Sequence, residues 1–222
     1  MNYNAIAEEI EQLLRLRRPV IGISFRNESG TNLRVYTHSV PASCAFWTLA
    51  TTDFFKTERQ HHLSCSIGAV THGFTDVSSV GVGCGYNDVD LLVGAGWITE
   101  KDIKQLPSVK HQSSTVSYGP MRFIPFEPDG AVLFCNAEQA MVISSCISVK
   151  LVGRPACMGV PISINDKTAV ISLGCTPSRL RAGYSPEELV VFVPREVLPE
   201  LIEKLRKMVV AEQAVATAVM NK

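Results

Sequence analysis

Cysteine carries the chemistry this chain can offer. Cys44 and Cys65 lie in PASCAFWTLATTDFFKTERQHHLSCSIGAVTHGF, and Cys157 and Cys175 in RPACMGVPISINDKTAVISLGCTPSRLRAGY. Each stretch reads proline, small residue, cysteine, then a strand-like segment ending in a Leu-Ser or Leu-Gly step into a second cysteine. The likeness predicts two related halves, each with a Cys pair, and four sulfurs meeting at one pseudo-symmetric centre. Soft thiolates select zinc, copper(I) or iron–sulfur centres, and four are the usual complement of a cluster. No C-x-x-C pair occurs and the cysteines of each pair stand far apart in sequence, unlike a zinc finger or ribbon. A purely packing role competes with these readings, because free cysteine is often buried as a small apolar side chain.

Thr176-Pro177-Ser178-Arg179 follows Cys175 and predicts the first turn of a helix. A sulfur there faces unpaired N–H groups, which favour thiolate. Ser66-Ile67-Gly68 permits the same geometry at Cys65. Arg179 and Arg181 supply donors for an anionic group, or ion pairs with Glu187 and Glu188. His72 could tune Cys65 or act as base to a Cys175 nucleophile, whereas the tandem His61-His62 reads as exposed loop. Trp47 and Tyr184 could wall a pocket beside the cysteines. Cys84, between glycines in GVGCGY, could let backbone approach a ligand, though the tract lacks the context of a dinucleotide fingerprint. Cys135 and Cys146 sit in apolar runs and read as core. With no nucleophile elbow, H-E-x-x-H, P-loop or EF-hand, hydrolase and nucleotide readings lose their support.

These groups must be positioned by a fold of 222 residues, long enough for a sizeable core. Lys+Arg and Asp+Glu are equal at 21 each, so net charge does not point to nucleic acid or an anionic membrane. The expected partner is a small molecule or a redox protein. MNYNAIAEEIEQLLRLRRP lacks the order of a signal peptide, which predicts a cytoplasmic protein with its cysteines reduced. Ile6, Ile10, Leu13 and Leu14 predict a helix over about 4–17, ended by Pro19. Strands are expected at PVIGISF, AVLFCN, TAVISLGC and ELVVFVP; NESGTN reads as a turn. Helices are expected from Cys44 to Phe55, over SIGAVTHGF closing at Gly73, over ITEKDIKQL capped by Thr99, over AEQAMVISSCISVKLV, and from about 195 to 219. SVKHQSSTVSYGPMRFIPFEPDG is polar and broken by proline and glycine, the expected junction between halves at about 19–110 and 120–206. The fold class is α+β, with a mixed α/β sheet as its variant, in a single globular domain with N- and C-terminal helices. VVAEQAVATAVM is apolar on several sides and predicts a homodimer through the last helix.

RRPVIGISF after the first helix, LSCSIG at Cys65, PDGAVLF with its EQA helix, Cys157, and SLGCTPSR followed by EEL resemble the uncharacterised ArCR group, domain of unknown function 169, over nearly the whole chain. The resemblance implies a prokaryotic, often anaerobe-associated soluble protein whose motif cysteines are Cys44, Cys65, Cys157 and Cys175. The Cys84 loop and the histidines before Cys65 depart from that pattern.

Three functional readings follow. Cys44, Cys65, Cys157 and Cys175 bind an iron–sulfur cluster or thiophilic metal in a redox role, with Arg179 nearby. Alternatively, the halves enclose a metal-free pocket for a small anionic or aromatic ligand, with the arginines and Cys84 loop as polar contacts. As a thiol enzyme, the chain would use Cys175 as nucleophile and His72 as base.

Overall fold

The computed structural model describes residues 1–26, 32–110 and 114–220. Helices are α1 (Tyr3–Leu14), α2 (Ala45–Leu49), α3 (Ser66–Thr71), α4 (Asn87–Gly94), α5 (Glu100–Lys104), α6 (Ala137–Cys146), α7 (Gly159–Asp166), α8 (Thr176–Ala182) and α9 (Leu198–Met220). Strands are β1 (Ile21–Ser24), β2 (Phe55–Glu58), β3 (Thr115–Pro120), β4 (Gly130–Cys135), β5 (Val149–Val152), β6 (Ala169–Ser172) and β7 (Leu189–Pro194). The fold is α+β around one mixed sheet in the order β2-β3-β1-β4-β7-β6-β5, antiparallel except for the β5–β6 pair.

Both faces of the sheet are covered, which explains why its central strands read as unbroken apolar runs. Side chains alternate: Leu133, Cys135, Val191 and Val193 join one core, while Val132, Phe134, Val190 and Phe192 join the other. The first core is closed by α1, α6 and α9 through residues such as Ile10, Ile143 and Leu201. Cys135 and Cys146 belong to it, as their apolar settings predict. The short helices α2, α3, α7 and α8 cover the other face, with Phe46, Trp47, Ile67 and Val160 buried there.

Several elements differ from the sequence expectation. α1 closes at Leu14, before Pro19, because Arg15 turns left-handed at φ 51° and bonds back to Glu11 and Gln12. The segment after Cys146 is the edge strand β5 rather than more helix, with Val149 and Val152 turned inward. The polar junction contains β3, which lies between β2 and β1 and buries Val116 and Tyr118. The strand-like stretch after Cys157 begins with α7, and the helix expected from Cys44 to Phe55 stops at Leu49, with β2 beginning at Phe55. The NESGTN turn falls at 27–32, nearly all of it outside the described residues, as do 111–113 of the junction.

α7 lies so close to β7 that a Cβ on Gly159 would sit 2.3 Å from two ring carbons of Phe192. Phe192 is buried and T-stacked on Trp47 at 5.0 Å, so the ring has little freedom to yield. Gly159→Ala should therefore destabilise the fold by about 1–3 kcal/mol, read as a lower urea midpoint at unchanged slope.

Candidate functional site

All four motif cysteines sit where helices begin, above the face of the sheet that carries Val132 and Phe192. Cys44, Cys65 and Cys175 are the N-cap residues of α2, α3 and α8. Cys157 lies in the 3-10 turn Ala156–Met158 that runs into α7. The four sulfur-bearing side chains line one cavity of about 50 Å³. Leu92, Trp97 and Ile67 give it apolar walls, while Ser43, Asp88 and Arg181 are its polar members.

Local chemistry fixes each helix start. Cys175 shares a capping box with Ser178, whose hydroxyl accepts from the Cys175 N–H at 3.0 Å, and proline stands in the first turn of α8. At Cys65 the following turn is crowded. A Cβ on Gly68 would lie 2.2 Å from Ser43 Oγ and 3.2 Å from Cys65 Sγ, so only glycine fits between hydroxyl and thiol. Asp88, reaching over from α4, accepts from the Ser66 N–H at 2.9 Å and from Ser66 Oγ. Tyr184 donates to the Cys44 carbonyl at 3.0 Å, and Thr48 to the Ala182 carbonyl at 2.8 Å, tying α2 to the end of α8.

The thiols are electrostatically coupled. Burial pushes Cys44 upward, and the neighbouring Cys65 and Cys175 add to it. Cys157 is driven well above the ordinary thiol range by burial and by Cys65. At Cys65 burial also prevails: backbone N–H groups of Gly68 and Ser43 favour thiolate, yet the net shift is upward. Desolvation thus opposes the thiolate expected there at a helix N-terminus. Among the described residues no three of His, Cys, Asp or Glu stand close enough to hold a single metal ion.

Other candidates are distributed differently from the sequence expectation. Arg179 does not line the cavity; its guanidinium donates to the Leu173 carbonyl at 2.9 Å and to the Ser185 carbonyl, while Arg181 is the cavity's arginine. Cys84 is exposed on a loop outside the cavity, between Gly83 and Gly85, both at positive φ. Trp47 packs in the core against Phe192, and Trp97 takes the wall position. The histidine pair parts company. His61 accepts from the Glu58 N–H, whereas His62 is buried, joined through Nδ1 to Ser43 Oγ and through Nε2 to Thr57 Oγ1, both at 2.9 Å. His72 is buried beneath the cavity, not on it, with Nδ1 on the Gly68 carbonyl at 2.8 Å and its ring near Phe25 and Trp47. Sequence reasoning missed Ser43, Asp88, Leu92 and Trp97; Asp88 alone left a trace, as an acid in a helical first turn after the glycine loop.

Burial lowers the His72 pKa to about 4 and holds His62 well below its ordinary value. Both imidazoles are neutral in the fold but take up protons in the unfolded chain below about pH 6.5. The unfolded state binds more protons in that window, so stability rises with pH and is lost as pH falls from about 6.5 toward about 4. Urea titrations at pH 7 and pH 5 should differ by about 2 kcal/mol from His72 alone, and His72→Gln should remove that share of the pH dependence whatever its effect on absolute stability.

A distant relative is an uncharacterised protein of Methanocaldococcus jannaschii, 28% identical over 116 residues, or 48% of this chain. The matched stretch spans 50% of that relative's length. No solved structure matches the chain. The family model for the uncharacterised ArCR proteins, domain of unknown function 169, matches residues 9–204, and the protein belongs to that family.

Proposed function

We propose that Cys44, Cys65, Cys157 and Cys175 hold an iron–sulfur cluster or comparable thiophilic metal centre, giving a redox protein of a reducing, cytoplasmic setting. The observation that carries this reading is their meeting on one cavity despite lying far apart in sequence. One ion needs its sulfurs about 2.3 Å away, which would draw them tightly together. No such tight set exists among the described residues, so the single-ion form of the proposal would need the thiols to move together. The residues fit the proposed centre by donor chemistry, with apolar walls to exclude water. A second reading, a metal-free pocket for a small anionic ligand, rests on Arg181 at the cavity wall. The thiol-enzyme reading, with Cys175 as nucleophile and His72 as base, is not supported by the placement of His72, which does not line the cavity.

We also infer two related halves. From the central β1–β4 pair outward, the sheet runs β1-β3-β2 on one side and β4-β7-β6 on the other. Gly22 pairs with Ala131, while Ile21 faces Val132 and Ile23 faces Gly130, a register that a two-fold axis through Gly22–Ala131 would preserve. The same axis relates Tyr118 to Phe192 and Pro120 to Pro194, their partners in the adjoining ladders. Cys44 and Cys157 then precede related strands β2 and β6, and Cys65 and Cys175 follow them. Exposed Val210, Val215 and Val219 on α9 favour self-association through the last helix.

Purification without oxygen, with a visible spectrum and iron and sulfide analysis, tests the cluster. Broad brown absorbance with matched iron and sulfide is expected, and Cys65→Ser with Cys175→Ser should abolish it. Protein that stays colourless and metal-free after reconstitution would remove the proposal and leave the ligand pocket.

A further inference from the structure

The first half carries an insertion at the mouth of the cavity. Between α3 and β3 the chain adds α4 and α5, whereas α8 passes to β7 through 183–188 alone. α4 is bracketed by glycines: Gly83 (φ 75°) and Gly85 (φ 86°) precede it, and Gly94 and Gly96 (φ 68°) close it. A Cβ at any of the four would meet nothing within 4 Å, so packing does not require glycine there. What glycine provides is the left-handed turn on both sides of the helix, at Gly83, Gly85 and Gly96, with the least restricted backbone of any residue type. Val89 is the only residue of α4 fully buried.

One face of α4 nevertheless closes the thiol cavity. Asp88 and Leu92, one turn apart, line it, and Trp97 follows just beyond the helix. Two clasps hold this wall down. The Asp88 carboxylate receives the Ser66 N–H and hydroxyl at 2.9 Å, immediately after Cys65. Arg154, beside the Pro155–Cys157 wall of the other half, stands 5.3 Å over the Trp97 ring. With the wall in place, about 50 Å³ admits only a few water-sized groups, so a cluster or its building blocks need the wall displaced.

We propose that α4 is a flap over the thiol cavity, latched by the Asp88 carboxylate on Ser66 and opening to admit the thiophilic ligand. The proposal rests on reading the cavity as a ligand site. Charge-assisted hydrogen bonds make the latch specific, while the shallow anchoring of α4 lets it open without the sheet. Asp88 is here a positioning residue that also seats the start of the Cys65 helix.

The test uses the full chain, reduced and free of metal, so that its result is independent of whether a cluster binds. N-ethylmaleimide labelling is followed residue by residue by mass spectrometry. Wild-type Cys65 and Cys157 should label slowly. Asp88→Ala should raise both rates at least about tenfold, the size expected for losing a hydrogen bond to a charged group, with Cys135 in the opposite core unchanged. Unchanged rates at Cys65 and Cys157, or an equal rise at Cys135, would overturn the latch. Should Asp88→Ala fail to fold, hydrogen exchange of the wild type decides: α4 amides opening well before those of β4 support the flap, and equal protection removes it.

Discussion

Three of the helices over the thiol face begin with cysteine where a hydroxyl or carboxylate would ordinarily cap them. Ser, Thr, Asp and Asn lead at N-caps because their oxygen takes an orphan N–H, and sulfur is a much weaker acceptor. The helices are short, at five to seven residues, and obtain their missing partners elsewhere. Ser178 supplies one at α8, and Asp88, on the neighbouring α4, supplies another at α3. Capping of α3, unlike the local box of α8, has thereby become a tertiary matter, and the closure of the cavity is linked to the stability of its own rim.

The sheet makes that arrangement affordable. Its central strands are buried on both faces, so the α1–α6–α9 side contributes an ordinary apolar core that does not depend on the thiol face. Cys135 illustrates the difference. On β4 it points into that core, is pushed up to about 12 by burial alone, and has no sulfur among the causes of its shift. Cys157 is equally enclosed, but three other cysteines act on it. The same residue type is filling on one face and a mutually coupled set on the other.

Much of this was legible from the residue pattern, and the losses have physical causes. β4, β6 and β7 were visible because two-sided burial makes continuous runs such as AVLFC and LVVFV. α3, α5 and α9 announced themselves through Gly73, the Thr99 cap and the Leu198–Leu205 stripe. β3 was hidden because Ser117 and Gly119 occupy buried positions in place of apolar side chains, so its alternation reads as a polar loop. β5 was lost in a helical run because Cys146 and Ile147 continue the apolar pattern across the break. The four cysteines were found by their repeated context, which needs no knowledge of the fold. Asp88 and Trp97 lie between α3 and β3, outside both cysteine stretches, so comparing the two stretches could not reveal them, and Arg181 outranks Arg179 only because α8 turns the latter onto the Leu173 and Ser185 carbonyls.

Electrostatics gives the cavity a preferred direction of change. Desolvation holds Cys44, Cys65 and Cys157 toward thiol, with neighbouring cysteines adding to it at Cys44 and Cys157 and Asp88 at Cys65, and with Arg181 as the cation that eases Cys44 and Cys65. Forming several thiolates in that space without a compensating charge would be steeply unfavourable. A multiply charged metal centre, held there as proposed, would reverse the balance by neutralising them together, and the apolar walls that penalise bare thiolate would strengthen its attraction to the centre. On the proposed reading, loading would release protons from these thiols. A wall that opened as a unit, carrying Asp88 away from Ser66 at the Cys65 helix start, would suit such a step: the rim would loosen while ligands entered, and recapping of α3 would accompany closure.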